Sequence, residues 1–488
     1  MAEPVALGDA AARGASITLL AQLYKTVLQL VATMLLARML SPDDFGLIAM
    51  VLSVIGISEI FRDFGLSSAA IQAKSVSTAE RTNLFWANTG LGVASAAVVA
   101  ASAPLIALLY GDDRVVPVVI ALAGSFVLSG MVTQYTADMS RRLMFRKMAI
   151  IEMVSPTLAL GVAVVMALSG AAYWALVVQQ LVSLAVLLGL SVVAARWLPG
   201  MPRRDVSIRR FMRYGVALFG TQVIAYLTKN IDNIAIGVAW GATPLGYYDR
   251  AYQLLMAPLR QINAPMTRVA LPVLSRVHED TARFERYLLR AQIVGGYVTA
   301  TVFALAASLA EDIVLIVFGA DWLPIVPIFA ILALGGVLRA VSQISYWIFL
   351  ASGHPGAQLK MYLVTRPLMI LVIIAGVPWG AVGVAVGSTV AYSLHWIISL
   401  IWSCRVSGIR VRPLLMNTVR ILVTVSIPAG IVSWLVTLLD WPPLLTIGVS
   451  LCAAAAYLGI VALLSTSARR DFSIVADFGL RALGRRRR

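Results

Sequence analysis

The chain has 488 residues, of which 60% are hydrophobic and 13% are charged, and its mean hydropathy is +0.87. The charged fraction is about half of that in an average soluble protein, which excludes a water-soluble fold and a nucleic-acid-binding protein with a polar basic surface. The formal charge of +16 therefore indicates contact with anionic lipid or with an anionic substrate. The sequence predicts an all-α polytopic membrane protein.

Fourteen apolar segments are long enough to cross a bilayer, which takes about 20 helical residues. Their predicted limits are 16–38, 45–63, 84–109, 115–136, 150–169, 172–195, 214–238, 246–267, 291–310, 323–350, 361–378, 380–403, 421–439 and 443–464. The first segment contains Lys25 and is not followed by a convincing cleavage site, so we expect it to be retained as a span. No His or Cys pair has metal-ligand spacing, and we expect no metal site and no cofactor.

Basic residues divide unequally between the alternate connections. One set of connections holds 30 Lys and Arg residues, whereas the other set holds Arg114 alone, together with eight acidic residues. The positive-inside rule therefore places both termini in the cytoplasm. The longest outward connection, 311–322, has only 12 residues, which is too short for an external catalytic domain. We expect a multi-pass protein of the bacterial inner membrane that is not an enzyme.

A stretch rich in Pro and Arg after the sixth span separates two sets of spans. The predicted parts are an N-terminal six-helix bundle at 1–195, a basic cytoplasmic linker at 196–213, a second six-helix bundle at 214–403, two additional helices at 404–464 and a basic amphipathic tail at 465–488. An offset of 200 residues aligns Gln22 with Gln222 and Gly46 with Gly246. This alignment indicates a repeat whose two units cross the membrane in the same sense, with a substrate site at their interface.

Polar side chains recur at intervals of three and four residues on several predicted spans, which places them on one face of each helix. Ionisable residues within spans are costly and commonly face a cavity. The candidate cavity residues are Gln22, Lys25, Gln29, Lys229, Asp232, Asn233, Arg250, Gln253, Arg260, Arg339 and Gln343. Because the basic residues outnumber Asp232, the stripes predict a cationic, hydrated chamber that attracts a phosphate or a carboxylate.

Several of these residues have a second interpretation. Lys25 can snorkel to the interface, and Arg250 can lie close enough to the outer interface to be solvated. Lys229 can form a structural ion pair with Asp232, which lies one helical turn away. Asp232 is also a candidate for coupling transport to an ion.

Four further ionisable residues lie in or beside the predicted spans. Glu59 and Asp63 are additional candidates for ion coupling, although a local charge network at the inner end of the second span explains them more simply. Arg366 lies near a predicted span end and is interpreted as snorkelling. His395 is interpreted as a hydrogen-bonded core histidine. The tail has apolar residues at helical intervals before four arginines, which predicts an interfacial helix that contacts anionic membrane lipids.

Two pairs of motifs resemble those of a known family. The first pair is LARMLSPDDFGLIAM at 36–50 and FRDFGLSSAAIQ at 61–72, and the second pair is DNIAIGVAWGATPLGYYDRAYQLLMAP at 232–258 and LPVLSRVHED at 271–280. These motifs resemble the Wzx-like polysaccharide flippases of the MOP exporter superfamily, and within it the exopolysaccharide and colanic-acid exporters. The motifs cover about a sixth of the chain, and the layout of spans and basic connections extends the resemblance along it.

The resemblance implies two six-helix bundles in a V-shaped MOP fold, with spans 1, 2, 7 and 8 lining a central cavity. It implies that the substrate is a polyprenyl-pyrophosphate-linked oligosaccharide, translocated by alternating access for exopolysaccharide or lipopolysaccharide biosynthesis. It leaves open coupling to protons or sodium ions and contact with the polysaccharide polymerase machinery. Lipid II or multidrug export by the same superfamily is the alternative, and a membrane-bound polymerase or ligase fits less well because the outward connections are short.

Overall fold

The structure is a computed structural model that describes residues 4–63, 76–203, 226 and 228–482, with side chains described for 20–56, 76–203, 226, 228–263 and 266–477. The regular secondary structure of the described ranges is helical, and these ranges contain no strand. The chain divides into two compact units, Met1–Gly246 and Tyr247–Arg488. The bundle, linker and tail limits inferred from the sequence stay a prediction.

Seven helices of the described residues lie entirely within the first unit. They are α1 (Pro4–Ala37), α2 (Pro42–Asp63), α3 (Thr78–Tyr110), α4 (Val115–Arg141), α5 (Phe145–Leu168), α6 (Trp174–Ala195) and α7 (228–240). Helix α3 begins with a capping box in which the side chains of Ser77 and Glu80 each accept a hydrogen bond from the other residue's backbone N–H. It ends at Gly111, whose φ of 66° is a left-handed conformation that glycine adopts at low cost.

The second unit consists of the rest of α8 and ten further helices. They are α8 (Ala242–Val277), α9 (Thr281–Ser308), α10 (Ala310–Val317), α11 (Ile325–Val341), α12 (Gln343–Ala351), α13 (Pro355–Ala375), α14 (Gly380–Val406), α15 (Val411–Ile421), α16 (Ile427–Thr437), α17 (Pro443–Leu464) and α18 (Thr466–Ala482). Short 3₁₀ turns at Ala320–Trp322 and Val377–Trp379 join some of them, and a π-helical turn at Leu422–Ser426 links α15 to α16.

The described ranges contain ten helical segments that are long and apolar enough to cross a membrane. One of them, Pro355–Val406, contains both α13 and α14. The prediction of an all-α polytopic membrane protein is confirmed, whereas the count of fourteen spans stays a prediction. Most residues of the predicted span at 214–238 lie outside the described ranges.

Two predicted spans have a different form in the structure. The segment predicted at 246–267 is part of α8, a helix of 36 residues with a polar face, so hydropathy alone identified only part of it. The segment predicted at 323–350 is divided at Ser342, whose Oγ donates a hydrogen bond to the carbonyl of Arg339 at 2.7 Å. Ser side chains that bond back to the preceding turn compete with the helix ladder, which accounts for the break.

The acidic pairs of the predicted outward connections cap helices and bind Arg114. The backbone N–H and the Oγ of Ser41 both donate to the Asp44 carboxylate, at 2.9 and 2.7 Å, where α2 begins. Arg114 donates to Asp43 at 2.6 Å and to Asp112 at 2.7 Å. Hydrogen bonding from the Arg114 guanidinium lowers the pKa of the Asp112 carboxyl below its usual range.

The described residues of the predicted linker form hydrogen bonds with α3. The Asn83 side chain donates to the Arg203 carbonyl and accepts from the Arg203 backbone N–H, each at 2.7 Å. The indole of Trp86 donates to the Gly200 carbonyl at 2.8 Å. The guanidinium carbon of Arg81 lies 4.3 Å from the ring centroid of Trp197. Residues 197–203 therefore pack along the first unit.

Helices α15 and α18 are joined to α9 by buried polar contacts. The Gln292 amide donates to Thr418 Oγ1 at 2.6 Å and accepts from the Asn417 amide at 2.9 Å. Asp471 on α18 is 3% exposed and accepts from Tyr297 at 2.8 Å and from Arg420 at 2.6 Å. Buried polar groups are costly unless they are paired, so these matched pairs specify how α18 packs.

Two glycines allow the first turns of α2 and α8 to pack backbone to backbone within the first unit. A methyl group on Gly46 would overlap the carbonyl oxygen of Ala242, and one on Gly246 would overlap the carbonyl oxygen of Pro42. The two contacts are reciprocal and related by the 200-residue offset seen in the sequence. Only residues that lack a side chain fit at either position.

We expect Gly46→Ala and Gly246→Ala each to lower the thermal unfolding midpoint of the detergent-purified protein. The added methyl groups meet backbone atoms that cannot rotate away, and overpacking of this kind costs about 1–3 kcal/mol. The matched control is Gly161→Ala, because a methyl group at Gly161 of α5 meets no atom within 4 Å. Equal midpoints for Gly46→Ala and the control would contradict the close packing of α2 against α8.

Candidate functional site

A cavity of about 560 Å³ lies within the second unit. Helices α8, α11, α12, α13 and α14 supply its walls, and Arg260, Arg339 and Arg366 line it. None of its described lining residues is acidic. A concentration of positive charge within a low-dielectric wall, with no carboxylate to offset it, attracts anions strongly.

Arg339 is held in place by aromatic side chains. Its guanidinium carbon lies 3.5 Å from the ring centroid of Tyr392 and 5.2 Å from that of Tyr252. One Nη also donates a hydrogen bond to the Tyr252 hydroxyl at 3.0 Å. Stacking on π faces stabilises a cation without cancelling its charge, so Arg339 remains able to bind an anion.

Two further arginines approach the cavity from α8 and α13. Arg260 is exposed along α8 and lines the cavity. Arg366 lies near the middle of α13, with its guanidinium 4.8 Å from the ring centroid of Tyr362. The structure thus adds Arg366 to the lining of the cavity, and its interpretation as a snorkelling residue stays a prediction.

Amide and hydroxyl groups complete the walls. Gln343 donates to Thr267 Oγ1 at 3.2 Å, and Gln358 donates to the Tyr362 hydroxyl at 3.0 Å. His395 also lines the cavity and is 8% exposed, but its Nδ1 has no hydrogen-bond partner among the residues that the structure describes. The burial of His395 agrees with a core position, and its interpretation as a hydrogen-bonded histidine stays a prediction.

The structure places Arg250 and Gln253 outside the lining of this cavity. An Nη of Arg250 lies 2.6 Å from Asp249 Oδ2, and the Gln253 amide donates to the same oxygen at 3.0 Å. The side chains of Arg250 and Asp249 are 15% and 12% exposed. The positive charge of Arg250 is thus offset by its immediate neighbour in the sequence.

The candidates of the first unit lie on α1 and α7. Lys25 Nζ lies 2.6 Å from Glu152 Oε2 on α5, so Lys25 is ion-paired, and its interpretation as a snorkelling residue stays a prediction. Gln22 and Gln29 are exposed on α1. Together these contacts show that the polar stripe of α1 reaches a carboxylate that the sequence pattern does not reveal.

On α7, Asp232 is 5% exposed and accepts a hydrogen bond from the backbone N–H of Asn233 at 2.9 Å, whereas Lys229 is exposed. Glu59 and Asp63 belong to α2, but their side chains lie outside the described residues. No group of three or more metal-ligating side chains occurs in the described part of the chain.

The sequence predicted Arg260, Arg339 and Gln343, which the structure brings together, and missed Arg366, Tyr362 and Tyr392. Helical spacing could have revealed these: Tyr362 and Arg366 are four residues apart, and Tyr392 lies three residues before His395. Arg366 and His395 were each interpreted alone, which concealed these two further polar faces.

The chain was compared with known proteins. It is 27% identical to the lipopolysaccharide biosynthesis protein WzxC of Escherichia coli strain K12 over 76% of each chain. It is 28% identical to the teichuronic acid biosynthesis protein TuaB of Bacillus subtilis strain 168 over 72% of each chain. It is also 26% identical to the succinoglycan biosynthesis transport protein ExoT of Rhizobium meliloti strain 1021, over 78% of this chain and 74% of that one.

Solved structures confirm the fold. The lipid II flippase MurJ in an inward closed conformation matches with a TM-score of 0.69 and 14% identity, over 90% of this chain and 97% of its own. An inward-facing multidrug resistance MATE family transporter of the MOP superfamily matches with a TM-score of 0.61 and 15% identity, over 80% of this chain and 95% of its own. The predicted MOP fold is thereby confirmed.

The sequence profile described as "polysaccharide biosynthesis protein" matches residues 35–327, which is more than half of the chain. The matched range extends from the end of α1 into α11 and contains both pairs of sequence motifs. The resemblance to Wzx-like flippases is confirmed, and the chain belongs to the polysaccharide biosynthesis protein family.

Proposed function

We propose that this integral membrane protein translocates a polyprenyl-pyrophosphate-linked oligosaccharide across the bacterial inner membrane, from the cytoplasmic to the periplasmic leaflet. The observation that carries the proposal is the cavity of the second unit, which three arginines line and whose described lining residues include no acid. Membership of a polysaccharide biosynthesis family supports the saccharide part of the substrate. The product would enter exopolysaccharide or lipopolysaccharide synthesis.

The residues that line the cavity suit both the pyrophosphate and the sugars of such a headgroup. Guanidinium groups bind phosphate oxygens with two parallel hydrogen bonds, which favours arginine over lysine for this task. The tyrosine rings at 362 and 392 offer flat surfaces to sugar rings, and Gln343 and Gln358 offer amide hydrogen bonds to hydroxyls. A cavity of 560 Å³ lies within the range of ordinary small-molecule sites.

Alternating access is the proposed transport cycle. The two solved neighbours with this fold are described as inward closed and as inward-facing, so the fold accommodates more than one state. A charged headgroup cannot cross hydrocarbon unaided, because transfer of an ion from water to a low-dielectric medium is very costly. A polar cavity that opens to one side at a time removes most of that cost.

The candidate residues of the first unit would form a second set of contacts with the substrate. Gln22, Lys25, Gln29, Lys229 and Asn233 would bind the headgroup during translocation. The buried carboxyl of Asp232 supports a role in ion coupling, and Glu59 and Asp63 remain candidates for the same role. Protons and sodium ions are both open as the coupling ion.

Arg250 and Gln253 would contribute to the site only after release from Asp249. The exposed basic residues of α18 and of the cytoplasmic connections would contact anionic membrane lipids. We also propose the polysaccharide polymerase machinery as a partner on the periplasmic side.

Export of lipid II is the second candidate function, since MurJ shares the fold and a pyrophosphate-bearing lipid would suit the same arginines. Multidrug export fits less well, because cationic drugs favour acidic cavities and this lining holds no described acid. The family assignment favours polysaccharide precursors over lipid II.

The substrate assignment predicts that Arg260→Ala, Arg339→Ala and their combination reduce polymer export in cells that lack the native copy. Loss of one charge-assisted contact costs about 1.5–3 kcal/mol, or about 10- to 100-fold in binding. Arg268→Ala is the matched control, because Arg268 is exposed on the same helix and does not line the cavity. Membrane abundance is measured by immunoblotting. Full export by both single variants and by the double variant would overturn the cationic site.

The orientation predicts which cysteines a membrane-impermeant maleimide labels in a variant whose Cys404 and Cys452 are replaced by alanine. A cysteine at Asp113, in the exposed turn between α3 and α4, should be labelled in intact spheroplasts. A cysteine at Glu279, in the exposed turn between α8 and α9, should be labelled only after permeabilisation. The reverse pattern would contradict the assignment of both termini to the cytoplasm.

A further inference from the structure

An ion pair inside the membrane joins α1 to α5 in the first unit. Lys25 Nζ and Glu152 Oε2 are 2.6 Å apart, and beside them the Tyr24 hydroxyl and Thr157 Oγ1 are 2.8 Å apart. Lys25 lies 12 residues before the end of α1 and Glu152 lies seven residues after the start of α5. At a rise of 1.5 Å per residue these positions are about 18 and 10 Å from the respective helix ends, and both lie within the spans predicted at 16–38 and 150–169.

This pair is more accessible than a structural ion pair would be. The side chains of Lys25 and Glu152 are 36% and 43% exposed, whereas those of Arg250 and Asp249 are 15% and 12% exposed. A charged pair that faced lipid tails would be strongly disfavoured, so the exposed surface of these two side chains faces water. A solvated anion can therefore reach Lys25 without local unfolding.

An accessible ion pair is also weak. Water screens the attraction between the two charges, and each side chain gives up rotamer freedom to hold one geometry. A pyrophosphate carries several negative charges and more acceptor oxygens than one carboxylate, so it competes effectively for the same ammonium group. Glu152 is thus the internal anion that a substrate phosphate must displace.

We propose that Glu152 is a positioning residue that acts through Lys25 as a displaceable counter-ion, an inference that rests on the proposed function. In the empty protein Glu152 holds Lys25 and cancels its charge. When pyrophosphate oxygens bind Lys25, the carboxylate is released into the adjacent water. When the headgroup leaves, Glu152 binds Lys25 again and prevents the anion from returning. Glu152 therefore lowers affinity and speeds release.

Glu152→Gln tests this exchange because glutamine keeps the size of the side chain and its hydrogen bond to Lys25 but removes the competing charge. We expect binding of inorganic pyrophosphate to the purified protein to become about tenfold tighter, which corresponds to about 1.4 kcal/mol. In translocation assays the half-saturating substrate concentration should fall together with the maximal rate. Loss of a pair with only a structural role would not lower both the half-saturating concentration and the maximal rate.

Two further variants complete the design. Lys25→Ala and the double variant Lys25→Ala/Glu152→Gln should bind pyrophosphate equally weakly, because the effect of Glu152 requires Lys25. Glu311→Gln is the charge-matched control, since Glu311 is exposed at the start of α10 and forms no described ion pair. Equal affinity of Glu152→Gln and Glu311→Gln, or weakening of Glu152→Gln to the level of Lys25→Ala, would overturn the exchange.

Phospholipid headgroups also carry phosphate, and vesicles of phosphatidylglycerol distinguish them from pyrophosphate as the ligand. Tighter binding of Glu152→Gln to phosphatidylglycerol alone would overturn the proposal.

The exchange and the proposed function fail in different ways. Normal translocation with unchanged pyrophosphate affinity in Glu152→Gln refutes the exchange alone, whereas tighter pyrophosphate binding without translocation by the wild type refutes the function and leaves the exchange standing.

Discussion

The cost of placing an ionisable side chain inside a bilayer governs the arrangement of the described helices. Such a residue must find a partner, a π face or water. Lys25 is paired with Glu152, Arg250 is paired with Asp249, and Arg339 stacks on Tyr392. The first two pairs remove net charge from their surroundings. Arg339 retains its charge, because an aromatic ring stabilises a cation without neutralising it, and it does so in a cavity whose described lining holds no acid.

The same constraint separates residues that hold the fold together from residues available to a substrate. The pair of Arg420 with Asp471 fixes the packing of helices, because the Asp471 carboxylate is buried and would be left without a partner if the pair separated. Arg339 and Arg366 stack on tyrosine rings and form no ion pair among the described residues, so their positive charges are not neutralised. A phosphate that enters the cavity would supply the anionic hydrogen-bond acceptors that the described lining lacks. The proposed anion site thus depends on the lack of carboxylates in the described lining as much as on its arginines.

Hydropathy and charge predicted much of the fold from the sequence, since apolar runs and basic loops are direct consequences of the bilayer. The polar stripes likewise identified Arg260, Arg339 and Gln343 as neighbours. The partner of Lys25 could not be found in this way, because Glu152 is 127 residues distant and nothing in its local pattern points to α1. Arg366 was missed because the start of α13 was placed too late, which moved a central residue towards a helix end.

The most direct test of the central claim is translocation of a fluorescent polyprenyl-pyrophosphate-linked oligosaccharide by the purified protein in proteoliposomes. Chemical quenching of the outer leaflet measures the fraction of labelled lipid that has crossed. The account predicts rapid crossing with the wild type, a large reduction with Arg339→Ala at equal reconstitution, and no crossing of a labelled neutral phospholipid. Crossing at the rate of protein-free vesicles, or undiminished crossing when Arg260, Arg339 and Arg366 are all replaced by alanine, would contradict it.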